Sequence, residues 1–530
     1  MSAAERLTSE LAGRTAADAA LAITELERAR AFAPTLGGVS GGVEPTGVET
    51  WAADWRFLLP DAELGHVAIL GRPRPELLRS LEVVATTVTP EHDIEPGRTY
   101  DTVVAARSAR RTVARALALL APAGVLRIER VKRLGRRGLV DLLRAQGFSP
   151  PELYWHRPNL TRTTVLVRLR DRSGAAAVLG LARSGPKRAV EQRLLRAGAA
   201  EFGAGAVSLL ALAPGYCPLP AVAAPADGIP AGLLTPRFAA SQAVIGVATS
   251  ADGRLKAVAK VPRTSRGSGL VAREGAALDA LTDEGRLDGV PAHELTRRGG
   301  RTVLLEAAAS GLPLDPHRVR TDPMSALETG MDWLDAMPRL PAPTGFGADQ
   351  RLDHLIGTAA SRLRSPGTTH DPVRAAAVAT TLELLEPLRT AGLPAVFEHG
   401  DFSHPNLFVD GDRMSVIDWE HALPHGLPLH DAFFFCGYLS QAVDRPTDAA
   451  ATIDAYLRAA GTHGWARAWI ERHAERMGVE RRQLRVLELA SWFRSTARVE
   501  RDPRPSHAQP LHRNEAIWRF LVEEMRRSCS

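Results

Sequence analysis

The side chains best suited to chemistry cluster in one stretch, Phe397-Glu-His-Gly-Asp-Phe-Ser-His-Pro-Asn-Leu-Phe-Val-Asp-Gly-Asp-Arg-Met-Ser-Val-Ile-Asp-Trp-Glu420. The Asp401 carboxylate can take the proton of an attacking hydroxyl. Asn406 follows close enough for one loop to present both groups to a shared center. The strand Leu407-Phe-Val then turns at Asp410-Gly-Asp-Arg, and the return strand Met414-Ser-Val-Ile ends at Asp418. A hairpin this tight brings Asp418 back beside Asn406, so three oxygen-bearing side chains converge. Such a set suits phosphoryl transfer, which needs fixed positions and oxygen ligands for a divalent cation more than covalent chemistry.

The elements around this hairpin have a readable pattern. From 320 onward the apolar spacing is mostly helical, interrupted by the hairpin at 406–418. Before it, residues 231–310 read as a small β-rich unit. Ala243-Val-Ile-Gly-Val-Ala-Thr, the turn Ser250-Ala-Asp-Gly and Leu255-Lys-Ala-Val-Ala-Lys-Val form a second hairpin. A helix is expected at about 271–282, then a strand Thr302-Val-Leu-Leu-Glu. The only lysines are Lys132, Lys187, Lys256 and Lys260; every other basic side chain is arginine. This usage reflects coding bias in a GC-rich genome. A lysine kept in such a chain marks a place where arginine does not serve.

The His399-Gly-Asp401, Asn406 and Ile417-Asp-Trp-Glu420 pattern resembles the aminoglycoside phosphotransferase and choline kinase family, and Gly426-Leu-Pro-Leu-His-Asp431 is similar to that family's downstream stretch. The resemblance implies an α+β bilobal protein-kinase-like domain, with an N-lobe at 231–311 and a helical C-lobe at 312–530. It implies ATP and Mg²⁺ as cofactors and a small-molecule hydroxyl as acceptor. Asp401 would be the base, and Asn406 and Asp418 the Mg²⁺ ligands. Lys260, in Val-Ala-Lys, would meet the ATP phosphates and be held by Glu274 on the next helix. Lys256 competes for that role, since strand alternation puts it on the same face, nearer the turn. Backbone groups from Glu306 to Ala308 would meet adenine, and Ala239–Gly246 would cover the phosphates. Glu420 is the candidate to face the acceptor. The helices at 320–395 and Ser491-Trp-Phe-Arg would line its pocket. His399 would buttress the catalytic loop and His404 is read as a loop residue. His421, His425 and His430 are too irregularly spaced for a metal site.

Residues 50–170 alternate strands with helices, which implies a doubly wound, mostly parallel α/β (Rossmann-like) domain. The expected strands are Gly65–Gly71, Leu81–Val88, Tyr100–Ala105, Leu120–Ile128 and Thr163–Leu169. The stretch resembles a class I S-adenosylmethionine-dependent methyltransferase. Its cofactor features are poor. The loop after the first strand reads Gly71-Arg-Pro-Arg-Pro, with one glycine and two stiffening prolines, and the second strand meets no acid before Glu91. A degenerate, methyltransferase-like domain is expected. Residues 1–49 read as an N-terminal helix and loop, and 171–230 as an Ala/Gly/Pro-rich connector.

Composition fits these assignments. The 530 residues are 45% apolar and 24% charged, with a formal net charge of +6, as in a soluble globular chain. The charge is dispersed, so nucleic acid is not an expected partner. Cys217, Cys436 and Cys529 are too few and too scattered for a disulfide framework or zinc site. No signal peptide or membrane-length apolar run is visible, so a cytoplasmic location without membrane contact is expected; oligomeric state is not legible. The leading reading is a Mg·ATP-dependent small-molecule kinase. The alternatives are a bifunctional methyltransferase-kinase and a catalytically silent kinase-fold binding protein.

Overall fold

The computed structural model describes residues 50–132, 136–181, 192–193, 195–196, 207–214, 216, 221–225, 227–236, 242–283, 287–338, 348–364, 371–499 and 513–529. The helix and loop expected at 1–49 lie outside these residues, as does the start of the loop at 239–246. The chain divides into two compact units. One runs through residue 272 and adds 292–308; the other holds 273–291 and everything from 309 onward.

A twelve-stranded sheet forms the first unit. Its strands are β1 (His66–Leu70), β2 (Thr87–Pro90), β3 (Tyr100–Ala105), β4 (Leu120–Ile128), β5 (Glu152–Arg157), β6 (Val165–Arg168), β7 (Val207–Leu212), β8 (Ile229–Leu234), β9 (Ala243–Thr249), β10 (Leu255–Pro262), β11 (His293–Arg298) and β12 (Arg301–Ala307). Across the sheet they run β2-β1-β3-β4-β7-β5-β6-β8-β9-β10-β12-β11. The first four are parallel, and each neighbor from β4 onward is antiparallel. Parallel strands need crossovers. The helix Pro75–Val84 links β1 to β2, and Arg110–Leu119 links β3 to β4.

Side-chain alternation on the parallel strands sets the two layers. Val67, Ile69 and Val104 pack with Leu77 and Leu81 of the first helix. Ala68, Leu70, Val103 and Ala105 face the other way, onto Val113 and Ala116 of the second helix and Leu143 of the helix Arg136–Ala145. Helices therefore cover both faces of this part of the sheet.

Three elements differ from the sequence reading. Leu81–Val84 closes the helix Pro75–Val84, and the strand starts only at Thr87. Pro75 at the first helical position and the i, i+4 spacing of buried Leu77 and Leu81 outweigh the apolar run. Strand β5 had no expected counterpart. The stretch 171–230 carries the helix Arg172–Leu181, β7 and the first residues of β8. Val207-Ser-Leu-Leu-Ala-Leu212 is buried on both faces, so it lacks the alternation that marks a half-exposed strand. β7 lies between β4 and β5, which makes the parallel strands and the β9–β10 hairpin parts of one sheet.

The short helix Trp51–Leu58 is fixed to the end of β10 by a buried ion pair. Arg263 Nη2 lies 2.9 Å from Asp54 Oδ2, and its Nε is 3.2 Å from both carboxylate oxygens. Both side chains are almost fully enclosed.

In the second unit, β13 (Leu312–Pro313), β15 (Leu407–Asp410) and β16 (Arg413–Val416) form one small sheet, and β14 (Val396–Glu398) pairs with β17 (Leu423–Gly426). Helices make up the rest, notably His430–Asp444, Leu484–Val499 and Arg513–Cys529. Their core is aromatic: Phe433, Phe434, Tyr456, Trp492 and Trp518 are all buried. Among the described residues no helix is long and apolar enough to cross a membrane.

Removing one partner of a buried ion pair leaves the other charge uncompensated. Asp54→Ala is therefore expected to lower unfolding free energy by about 3–5 kcal/mol, read from urea denaturation of the full chain.

Candidate active site

The hairpin expected at 406–418 is present, in the register Leu407↔Val416 through Asp410↔Arg413. Its geometry joins the acidic residues. Asn406 donates from Nδ2 to Asp401 O at 3.0 Å and to Asp401 Oδ2 at 3.1 Å. Both partners are acceptors, which assigns the amide nitrogen to that side and turns Oδ1 away. Ile417 N–H donates to Asn406 O at 3.0 Å, placing Asp418 beside the same residue. Asp418 adopts φ 73°, a left-handed conformation rare outside glycine and concentrated at functional sites. Among the described residues no three His, Cys, Asp or Glu side chains are grouped to hold a metal. An amide oxygen and a carboxylate, as on Asn406 and Asp418, are nonetheless hard donors of the kind Mg²⁺ takes alongside phosphate oxygens.

The loop is held from below by buried charge. Asp431, at the start of the helix His430–Asp444, accepts His399 N–H on Oδ2 at 2.7 Å and Gly400 N–H on Oδ1 at 2.9 Å. Burial pushes its carboxyl above the ordinary range, and neighboring Glu398 adds to the rise. Glu398 is itself enclosed and takes a two-pronged ion pair from Arg494, at 2.8 and 2.7 Å. Burial opposes its ionization, but Arg494 and His430 prevail and hold it below the usual carboxylate range. His399 completes the brace. Its Nδ1 accepts Asp401 N–H at 3.1 Å, so the ring proton sits on Nε2, which donates to Ile417 O at 3.1 Å. One imidazole thus ties the Asp401 loop to the strand that delivers Asp418. Gly400 has φ 79°, and a Cβ there would lie 2.5 Å from His421 O, so only glycine fits.

Sequence reasoning missed Arg498. It sits in the last turn of Leu484–Val499, and its Nη2 meets Asp401 Oδ1 at 2.9 Å. The Ser491-Trp-Phe-Arg stretch lies on the same helix and supplies Arg494. A basic residue one helical turn beyond Arg494 was the available signal, obscured by arginine's abundance. Burial pushes the Asp401 carboxyl upward; Arg498 pulls it down, Asp418 adds to the rise and Asn406 opposes it.

The other expected residues fall as follows. Lys260 is nearly buried on β10, its Nζ 3.5 Å from Glu306 Oε2. Lys256 is exposed: a register shift between Leu255 and Ala257 breaks the alternation that would have put it on the same face. Glu274 is buried in the middle of the helix Ser265–Asp283 and accepts Trp419 N–H at 2.9 Å, next to Asp418. Ala308 donates its N–H to Lys256 O at 2.9 Å. Glu420 is half-buried, 3.4 Å from His421 Nε2, and shares a field with Arg273, whose guanidinium is lowered by burial and partly restored by Glu420. His404 is buried and bonded through Nδ1 to Leu314 O at 3.1 Å.

With this geometry established, comparison with known proteins gives three results. Residues 239–469 match the model of the phosphotransferase enzyme family. A search of curated protein sequences finds no match. Solved structures give loose likenesses. One is a thermostable aminoglycoside phosphotransferase APH(4)-Ia with AMP-PNP and hygromycin B, 18% identical, covering 57% of this chain and 95% of that one, TM-score 0.38. Others are the amicoumacin kinase hAmiN with AMP-PNP, Ca²⁺ and Ami (12%, 55% and 87%, 0.36) and the choline kinase LicA from Streptococcus pneumoniae (14%, 54% and 90%, 0.36).

Burial lowers the His404 pKa to about 4 from an ordinary 6.5. The unfolded chain then binds more protons between these values, so this group's contribution to stability is complete above pH 6.5 and declines as pH falls toward 4. The full effect is about 3 kcal/mol. His404→Asn, which keeps a donor for Leu314 O, is expected to flatten the stability–pH curve in that window by one proton's worth, measured by urea denaturation at several pH values.

Proposed function

We propose that this chain moves the γ-phosphoryl of ATP to a hydroxyl group of a small molecule. The observation that carries the reading is the bonded pair Asp401–Asn406 with Asp418 returned beside it, inside the stretch that matches the phosphotransferase family model. Asp401 accepts the acceptor's proton. Asn406 fixes that carboxylate with its amide nitrogen and offers its oxygen, with Asp418, to Mg²⁺, which would supply charge neutralization on the phosphates. Lys260 meets phosphate oxygens, and Glu306 holds its ammonium ready. Glu274 fixes the peptide that follows Asp418. Arg498 holds Asp401 Oδ1 until the acceptor's hydroxyl takes its place.

Two of the solved structures hold hygromycin B or Ami with AMP-PNP, and a third is named a choline kinase. Screening hydroxyl metabolites with γ-labeled ATP and Mg²⁺ should find one that takes up label. Asp401→Asn should then cut turnover by at least ~100-fold with the thermal unfolding curve unchanged. Undiminished turnover in that variant would sink the assignment.

We infer separately that the parallel strands at 66–128 do not serve methyl transfer. The turn after β1, where a nucleotide-like cofactor would need free backbone N–H groups, is occupied. Gly71 N–H is bound by Glu91 Oε2 at 2.7 Å, and Arg74 reaches Glu129 Oε2 and Leu160 O, each at 2.7 Å. Calorimetric titration of S-adenosylmethionine into the full chain should give no saturable heat; saturable binding would restore the bifunctional reading.

A further inference from the structure

A cavity of about 240 Å³ opens over β5–β8, with Val247 of β9 also in its wall and none of the residues assigned to phosphoryl transfer among its lining. Its walls are mostly apolar, with Phe57, Leu210, Ala221 and Leu233 prominent. Four polar residues line it: Ser149, Glu152, Tyr154 and Arg168. Two of these are paired, and Arg170 lies 3.5 Å from Glu152 Oε1. Arg168 grips Glu152 with Nε at 2.9 Å and with a second bond from Nη2, while its Nη1 reaches Pro230 O at 3.3 Å.

Tyr154 is different. Its ring is buried, with 6% of the residue exposed, and the residue lines the cavity with no hydrogen bond from its hydroxyl to another described residue. The oxygen is not sealed in protein; it opens on the cavity, where a guest can accept its hydrogen bond in place of water. Burial, reinforced by the charge of Glu152, keeps the phenol protonated, so it is a donor.

We propose that this cavity binds a small, neutral, largely apolar molecule of one or two rings that accepts a hydrogen bond from Tyr154. Size sets the ring count. An apolar cavity of about 150 Å³ holds benzene, and sites for drug-sized ligands begin near ~300 Å³. Neutrality follows from the pairing of the wall charges: Glu152 is held by Arg168 and lies 3.5 Å from Arg170, so neither Glu152 nor Arg168 is open to an ionic guest. The acceptor atom follows from the donor that awaits it.

Quinoline carries a ring-nitrogen acceptor, naphthalene has the same shape without one, and N-methylquinolinium adds a charge. Titrated into the full chain by calorimetry, quinoline should bind saturably and the cation should not. Tyr154→Phe should weaken quinoline by about five- to tenfold and leave naphthalene unchanged. Ala221→Phe, which fills the space, should abolish both. The proposal fails if quinoline shows no saturable binding at millimolar concentration, if the cation binds as well, or if Tyr154→Phe leaves the quinoline-to-naphthalene ratio unchanged. That ratio decides the matter even if Ala221→Phe misfolds, and none of these readouts depends on phosphoryl transfer.

Discussion

Everything at the hairpin depends on one buried carboxylate that holds two consecutive backbone N–H groups. Asp431 fixes the peptides of His399 and Gly400, and the next residue is Asp401. Hydrogen bonds to a charged group contribute more than neutral ones, about 1.5–3 kcal/mol each. They also determine direction. With both N–H groups turned down toward Asp431, the chain emerges at Gly400 in a left-handed conformation and presents Asp401 upward to Asn406. The His399 ring then transmits this position to Ile417.

Glu398 and Arg494 form the layer beneath. Two carboxyl groups, Glu398 and Asp431, lie in a dry interior, where burial and the charge of Glu398 raise Asp431 while Arg494 and His430 hold Glu398 down. Arg494 decides the outcome by pairing with Glu398 through both prongs. A guanidinium suits this task because its planar fork matches a carboxylate, which an ammonium does not. The same helix supplies Arg498 to Asp401, so one face of Leu484–Val499 sets the charge state of the loop at two levels. Lys260 shows the complementary choice: a compact ammonium, placed against Glu306 where this arginine-rich chain keeps one of its few lysines.

The sheet has a different logic. Its parallel strands need helical crossovers and bury both faces, while the antiparallel neighbors β5–β6, β8–β9, β9–β10 and β11–β12 are joined by short links. β7 makes the transition. It is antiparallel to both β4 and β5 and closes what would otherwise be an exposed edge of the parallel set. The cavity that Tyr154 lines lies over β5–β8.

The sequence by itself determined the parts whose signals are local. The hairpin from Leu407 to Val416, the adjacency of Asp401, Asn406 and Asp418, and the strands at 66–70, 100–105 and 120–128 with the helix between the last two follow from turn residues, fixed spacing and apolar period. Lys260 was separable from Lys256 by motif, though the bulge that exposes Lys256 was not visible. Tertiary structure decided what depends on distant partners. Arg498 and Arg494 are two arginines among many until a helix folds against the loop. Asp431 looks like an N-terminal helix acid until its carboxylate meets two peptides far back in the chain. The stretch at 207–212 reads as linker because a strand buried on both faces has no alternation to reveal it, and only pairing with β4 and β5 makes it central. Local chemistry is written in spacing, whereas ion pairs and strand neighbors depend on contacts that spacing does not encode.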